Sequence, residues 1–133
     1  MGRILLIDDD QSFTDFLVEH IHKAYPLLQV DVCCSQVAAR RALTDGGYDL
    51  TLIDVGASTR DGLDLLSYAL QAGIDKNRIV IISALDADIL HQLCPMGTCL
   101  AVLNKFEVRQ KAVLEMVLSS ISRKSAARSG GHG

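Results

Sequence analysis

The sequence lacks the features that mark several large classes of protein. No apolar run approaches the roughly 18 residues needed to cross a membrane, and the first residues contain no long apolar segment followed by a small-residue cleavage site. The 133-residue chain has a formal net charge of −3, and its one basic cluster lies at the far C-terminus. This distribution argues against nucleic-acid binding by the body of the chain. We therefore expect a cytoplasmic protein without membrane contact.

Cysteine pairs with metal-ligand or disulfide spacing are also missing. The adjacent Cys33 and Cys34 are poorly placed for a disulfide framework, so we expect reduced thiols inside the cell. A metal site built from His91, Cys94 and Cys99 is conceivable, but the pattern favours small apolar residues buried on a helix.

The composition, with 49% hydrophobic and 22% charged residues, is typical of one globular domain. The apolar residues include five short runs of strand length, and most of these runs lack strict alternation. Such runs are typical of strands covered on both faces, as in a parallel sheet. The runs lie at residues 4–7, 28–32, 50–53, 79–82 and 100–103.

Each run is followed by a segment with helical spacing. The first segment has Phe13, Phe16, Leu17 and Ile21 on one face, and the last carries an apolar stripe over residues 108–121. Five strand–helix units in succession predict an α/β fold: a five-stranded parallel sheet with helices on both faces, doubly wound and flavodoxin-like.

Polar residues follow four of the five runs. Because the carboxyl ends of parallel strands meet at one edge of a sheet, and ligands bind there, we expect these side chains to converge. They are Asp8, Asp9 and Asp10 after the first run, Asp54 after the third, Ser83 after the fourth, and Asn104 and Lys105 after the fifth.

This set of residues suits phosphoryl chemistry. Clustered carboxylates repel one another unless a cation neutralises them, and hard oxygen ligands favour Mg²⁺. Asp54 can act as a nucleophile, while Lys105 and Ser83 can pair with the oxygens of a phosphoryl dianion. Taken alone, the acidic run would be interpreted as a solvated helix cap. Only together with Asp54 and Lys105 does the acidic run indicate a functional site.

Four short motifs stand at these strand ends: IDD at 7–9, LIDVGASTRDG at 52–62, IISA at 81–84 and LNK at 103–105. Together they resemble the receiver domain of bacterial two-component response regulators. The resemblance covers residues 3 to about 122. We place the receiver domain at residues 1–122 and interpret residues 123–133, which are small, basic and Gly/Ser-rich, as a flexible tail or linker.

The resemblance implies a phosphoacceptor and a metal site. Asp54 would accept a phosphoryl group from a sensor histidine kinase or a phosphotransfer protein. Asp8 and Asp9, together with Asp54 and the backbone carbonyl of Gly56, would hold Mg²⁺. The chain would promote its own phosphorylation and dephosphorylation without being a conventional enzyme.

The resemblance also implies a switch. Lys105 would pair with the phosphoryl oxygens, and Ser83 would supply the small hydroxyl that moves toward them. The segment 103–120 is similar to that of DNA-binding regulators of the nitrate-response type. Transcription control would then need an output domain outside this chain, and a homodimer is compatible with this interpretation.

Three positions depart from the receiver pattern. Ser58 stands where proline is usual, Val102 where an aromatic switch residue is usual, and Phe106 where proline commonly follows the lysine. A valine cannot swing a ring between two rotamers, and a cis bond before Phe106 would be strained, so we predict a trans bond or a strained cis one. These departures leave open a phosphorylation-independent receiver-like interaction module.

Two other functions fit less well. An aspartyl phosphatase of the haloacid dehalogenase type needs a second Asp two residues after the nucleophile, where this chain has Gly56. Flavin binding on a flavodoxin topology needs a Ser/Thr-rich phosphate loop after the first strand, but three acids at this place would repel a phosphate.

Overall fold

A computed structural model describes residues 2–55, 59–95, 97–105 and 108–130. Strands and helices alternate along this part of the chain, and a short 3₁₀ turn at Lys76–Arg78 precedes the fourth strand. The strands are β1 Gly2–Ile7, β2 Leu28–Cys33, β3 Leu50–Asp54, β4 Ile79–Ser83 and β5 Ala101–Asn104. The helices are α1 Gln11–Ala24, α2 Gln36–Asp45, α3 Thr59–Gln71, α4 Ala87–Leu93 and α5 Val108–Gly130.

The strands form one five-stranded parallel sheet in the order β2-β1-β3-β4-β5. Every residue of β4 is buried, as the continuous apolar run predicts for a strand covered on both faces. The predicted parallel, doubly wound α/β fold is confirmed.

Two apolar layers hold the helices against opposite faces of the sheet. The first layer joins the sheet to α1 and α5, and the second joins it to α2, α3 and the end of α4. Helical residues of the first layer are Leu17, Ile21, Leu114 and Leu118, and those of the second are Ala39, Leu43, Leu65, Leu66 and Ala69.

The strand order reverses between β1 and β3, because β1 lies between β2 and β3. In register, Ile7 of β1 pairs with Ile53 of β3. The next residues in the chain, Asp8 and Asp54, are thus carried to the same point on the edge of the sheet. Open α/β sheets bind ligands at such a reversal point.

Helix α5 continues past residue 122, where composition places the end of the domain, and reaches Gly130. Its Ser125 is fully buried beside Gly2, so closely that a Cβ on Gly2 would lie 2.5 Å from the serine Oγ. Residues 123–130 are therefore helical, and the interpretation of residues 123–133 as a flexible tail or linker stays a prediction. The boundary at residue 122 itself stays a prediction.

The four cysteines, Cys33, Cys34, Cys94 and Cys99, are free thiols in the structure. Within the described ranges, no helix combines the length and the apolar character required to cross a membrane.

Replacing Ile81 with Ala should lower the free energy of unfolding by about 2–4 kcal/mol, because the fully buried side chain would leave a cavity in the second layer. Urea denaturation measures the change. Val37→Ala on α2 is the control, since Val37 is 72% exposed, and it should alter stability by no more than about 0.5 kcal/mol. Equal losses in both variants would contradict the assignment of the core.

Candidate functional site

The parallel hydrogen-bond ladder continues one residue beyond the strands and fixes the backbone of the site. The amide of Asp8 donates to the Cys33 carbonyl at 3.1 Å, and the amide of Lys105 donates to the Ser83 carbonyl at 2.7 Å. Residues that follow different strands are therefore held by the sheet itself. The strands fix the relative positions of these residues more closely than a mobile loop would.

The ammonium group of Lys105 lies among three carboxylates. Its Nζ is 2.9 Å from Asp8 Oδ2, 3.3 Å from Asp54 Oδ1 and 3.7 Å from Asp10 Oδ2. The Lys105 and Asp8 side chains are almost fully buried, whereas that of Asp10 is half-exposed. The contact with Asp8 is a hydrogen-bonded ion pair. The contact with Asp54 is an ion pair without hydrogen-bond alignment, since Asp54 Oδ1 accepts no hydrogen bond from the described residues.

Asp8, Asp9 and Asp54 also form a cluster of potential metal ligands. One carboxylate oxygen from each lies within 4.8 Å of the other two. Asp9 is exposed, so the cluster opens to solvent. The donors are all hard carboxylate oxygens. Asp54 also has one buried oxygen, Oδ1, that accepts no hydrogen bond from the described residues. This donor set fits Mg²⁺. Gly56, the fourth predicted ligand, lies outside the described residues.

The electrostatics of the cluster follow from burial and from the excess of acids. Burial, and then the neighbouring Asp8 carboxyl, raise the pKa of Asp54 to about 7 against the opposing effect of Lys105. Burial acts to lower the pKa of Lys105, but the carboxylates of Asp8 and Asp54 together raise it. Among the described residues, Lys105 is the one cation paired with these carboxylates, and a divalent cation would supply further positive charge.

Ser83 lies at the end of β4, fully buried. Its Oγ donates to the carbonyl of Val55, the residue after Asp54, and accepts a hydrogen bond from the Leu85 amide at 3.0 Å. The structure thus brings the hydroxyl to the backbone beside the predicted phosphoacceptor, in contact with Val55 rather than with the carboxylates.

A cleft of about 140 Å³ leads to the acids, and Gly62 forms part of its wall. A Cβ on Gly62 would lie 3.0 Å from the Asp54 carbonyl oxygen, so this position requires a residue without a side chain. The expected roles of Ser58 and Phe106 concern residues outside the described ranges.

Two contacts of Lys105 were not predicted from the sequence. Asp10, part of the acidic run that the sequence also allows as a helix cap, does cap α1 by accepting from the Phe13 amide at 3.2 Å, and it also faces Lys105. The ring of Phe13, expected only on the core face of α1, has its centroid 4.2 Å from Lys105 Nζ. Both residues lie in or beside the first turn of α1, which begins directly after the acidic run.

The chain has the fold of response-regulator receiver domains, with acids and a lysine at the same edge of the sheet. The resemblance seen in the motifs is therefore confirmed for the fold. No protein-family model and no curated protein matches the sequence.

Three solved structures illustrate the likeness. A CheY-like receiver domain from Methylobacillus flagellatus is 24% identical, with a TM-score of 0.69, over 91% of this chain and 98% of that one. A response regulator from Thermotoga maritima, in complex with Mg²⁺ and BeF, is 19% identical with a TM-score of 0.68, over 88% of this chain and 99% of that one. A response regulator from Burkholderia pseudomallei, with a phosphorylated aspartic acid, a calcium ion and citrate, is 16% identical with a TM-score of 0.69 over 100% and 76%.

Replacing Asp54 with Asn should change how stability depends on pH. Because the folded-state pKa of Asp54 is raised from 3.8 to about 7, the folded state binds more protons than the unfolded state between these values. This side chain's contribution to the free energy of unfolding therefore falls as the pH rises through that window.

In metal-free buffer, Asp54→Asn should match wild type near pH 4 and be the more stable protein above about pH 7. Urea denaturation across this pH range measures the difference. A variant that is less stable than wild type at pH 8 would contradict the electrostatic description of the pocket.

Proposed function

We propose that the chain is a phosphoacceptor receiver, in which Asp54 takes a phosphoryl group from a sensor histidine kinase or a phosphotransfer protein. The observation that carries the proposal is the position of the Lys105 ammonium, 3.3 Å from Asp54 and 2.9 Å from Asp8. A buried cation next to a nucleophilic carboxylate can neutralise the equatorial oxygens of a transferring phosphoryl group.

In the transfer, an Asp54 carboxylate oxygen bonds to phosphorus, and the bond from phosphorus to the donor nitrogen breaks with its electron pair leaving on that nitrogen. Asp54 must be ionised to attack. Lys105 favours that form, whereas burial and Asp8 oppose it. Bound Mg²⁺ would supply further positive charge, held by Asp8, Asp9 and Asp54 with the backbone carbonyl of Gly56.

Phosphorylation replaces the single negative charge of the Asp54 carboxylate with a phosphoryl group of about −2. Lys105 then has two competing anionic partners, the phosphoryl group and Asp8, and Ser83 can exchange its hydrogen bond to Val55 for one to a phosphoryl oxygen. These are differential interactions, and only such interactions can shift a conformational equilibrium. In this account the chain is a signalling switch, not a conventional enzyme.

The neighbours with bound groups support this proposal. The Thermotoga maritima protein holds Mg²⁺ and BeF, and the Burkholderia pseudomallei protein carries a phosphorylated aspartic acid. Cytoplasmic location, a homodimer and DNA control through a separate output domain stay predictions.

A second candidate function is a phosphorylation-independent interaction module. Val102, in β5, is partly buried against the layer that contains α2 and α3, and its branched side chain has no ring with which to report the state of Ser83. With this function the chain would still bind a metal ion, but its affinity for a partner protein would be the same with and without phosphorylation.

Acetyl phosphate with Mg²⁺ should raise the intact mass of the chain by one phosphoryl group. Asp54→Asn should abolish the addition, and wild type without Mg²⁺ should gain far less. Asp64→Asn, a change of an exposed acid on α3, is the matched control and should be phosphorylated like wild type. Addition that persists in Asp54→Asn would remove the assigned phosphoacceptor.

Asp9→Asn should weaken Mg²⁺ binding roughly tenfold or more, because it removes the charge of one of three carboxylate ligands. Isothermal titration calorimetry measures the affinity. Asp45→Asn, at the exposed end of α2, should leave it unchanged. Unaltered affinity in Asp9→Asn would place the ion elsewhere.

A further inference from the structure

The aromatic ring of Phe13 provides a contact for the Lys105 ammonium besides the carboxylates. Lys105 Nζ lies 4.2 Å from the ring centroid, within the range of a cation–π interaction. The backbone of Phe13 is fixed in the first turn of α1, where its amide donates to the capping Asp10. A change of charge in the pocket, acting through Lys105, therefore directly affects the Phe13 side chain in the first layer.

Phe13 also borders a cavity. A space of about 150 Å³ lies between α1, α5 and the sheet, and it is bordered by Phe13 and His20 of α1, by Leu114 and Glu115 of α5, and by Lys105. The space is partly open to solvent, since Phe16, which is 54% exposed, also lines it. A space of this size can accept a phenyl ring, so the Phe13 ring has room for a second position.

We infer that Phe13 is a positioning residue for Lys105 and the contact through which a phosphoryl group on Asp54 affects the α1–α5 face. The inference rests on the proposed function. Without a phosphoryl group, the ring and the carboxylates together hold the ammonium. A dianion on Asp54 attracts Lys105 Nζ away from the ring, the cation–π contact weakens, and the ring can turn into the cavity.

The contacts around the cavity show how this change would spread. His20 Nε2 lies 2.5 Å from Glu115 Oε1, and this pair joins α1 to α5 while lining the cavity. Tyr25 OH, at the end of α1, contacts Ser119 Oγ of α5 at 3.3 Å and also Glu115. A ring entering the cavity would press on the same two helices that these bonds connect.

The path through Phe13 does not need an aromatic residue in β5. Val102 lies on the opposite face of the sheet, against the second layer. Phe13 packs against the first layer, together with α5. The two positions are therefore separate, and a switch at Phe13 would change the surface formed by α1 and α5.

The test measures the affinity of the full chain for beryllofluoride, a phosphoryl mimic, in the presence of Mg²⁺. Phe13→Leu keeps an apolar side chain but removes the ring that holds Lys105, so it should bind beryllofluoride roughly fivefold more tightly than wild type. Phe13→Tyr retains the ring and should stay within about twofold of wild type. Tyr68→Leu, which removes a ring from a cation–π contact with Arg40 on the other face of the sheet, is the matched control and should also stay within about twofold.

A second measurement uses the wild-type chain and does not depend on how a variant folds. The aromatic NMR signals of Phe13, assigned by the Phe13→Tyr spectrum, should shift when beryllofluoride binds and should not shift in Asp54→Asn. Fluorine NMR reports binding independently. If no bound fluoride is seen, the proposed function fails. If fluoride binds while the Phe13 signals stay unchanged, or while Phe13→Leu binds as wild type does, the role of Phe13 is refuted and the proposed function remains.

Discussion

The buried ion pair between Lys105 and Asp8, with Asp54 as the second acid, is the constraint on which the site depends. The two residues of the pair are 97 positions apart in the chain, and the parallel sheet brings them to 2.9 Å. A buried carboxylate without a cation is strongly unfavourable. The buried Asp8 is therefore compatible with the fold because Lys105, which follows β5, reaches across the edge of the sheet to pair with it.

The same pair leaves the pocket incompletely neutralised, and this imbalance gives the site its chemical character. Asp54 has an elevated pKa because it is buried beside Asp8. Both a divalent cation and the transfer of a phosphoryl group to Asp54 would redistribute the contacts of Lys105. The cation–π contact with Phe13 links this redistribution to α1 and α5, which makes the lysine the shared element of chemistry and signalling.

Much of the fold and the site could be predicted from the sequence, because strand-length apolar runs fix the strands and parallel strands share one edge for their carboxyl ends. The convergence of Asp8, Asp54 and Lys105 follows from that rule alone. The contact with Phe13 could not be predicted, since it depends on where the packing of α1 against the sheet places the Phe13 ring. The course of α5 beyond residue 122 could not be predicted either, because its buried Ser125 lies against Gly2, a tertiary contact that local composition does not encode.

A crystal structure of the chain with Mg²⁺ and beryllofluoride tests the central claim most directly. The account predicts beryllium bonded to an Asp54 oxygen, with Lys105 Nζ within about 3 Å of a fluoride. It also predicts the Mg²⁺ ion between that group and the carboxylates of Asp8 and Asp9. Beryllofluoride bound to another side chain, or a lysine that remains paired only with Asp8, would contradict it.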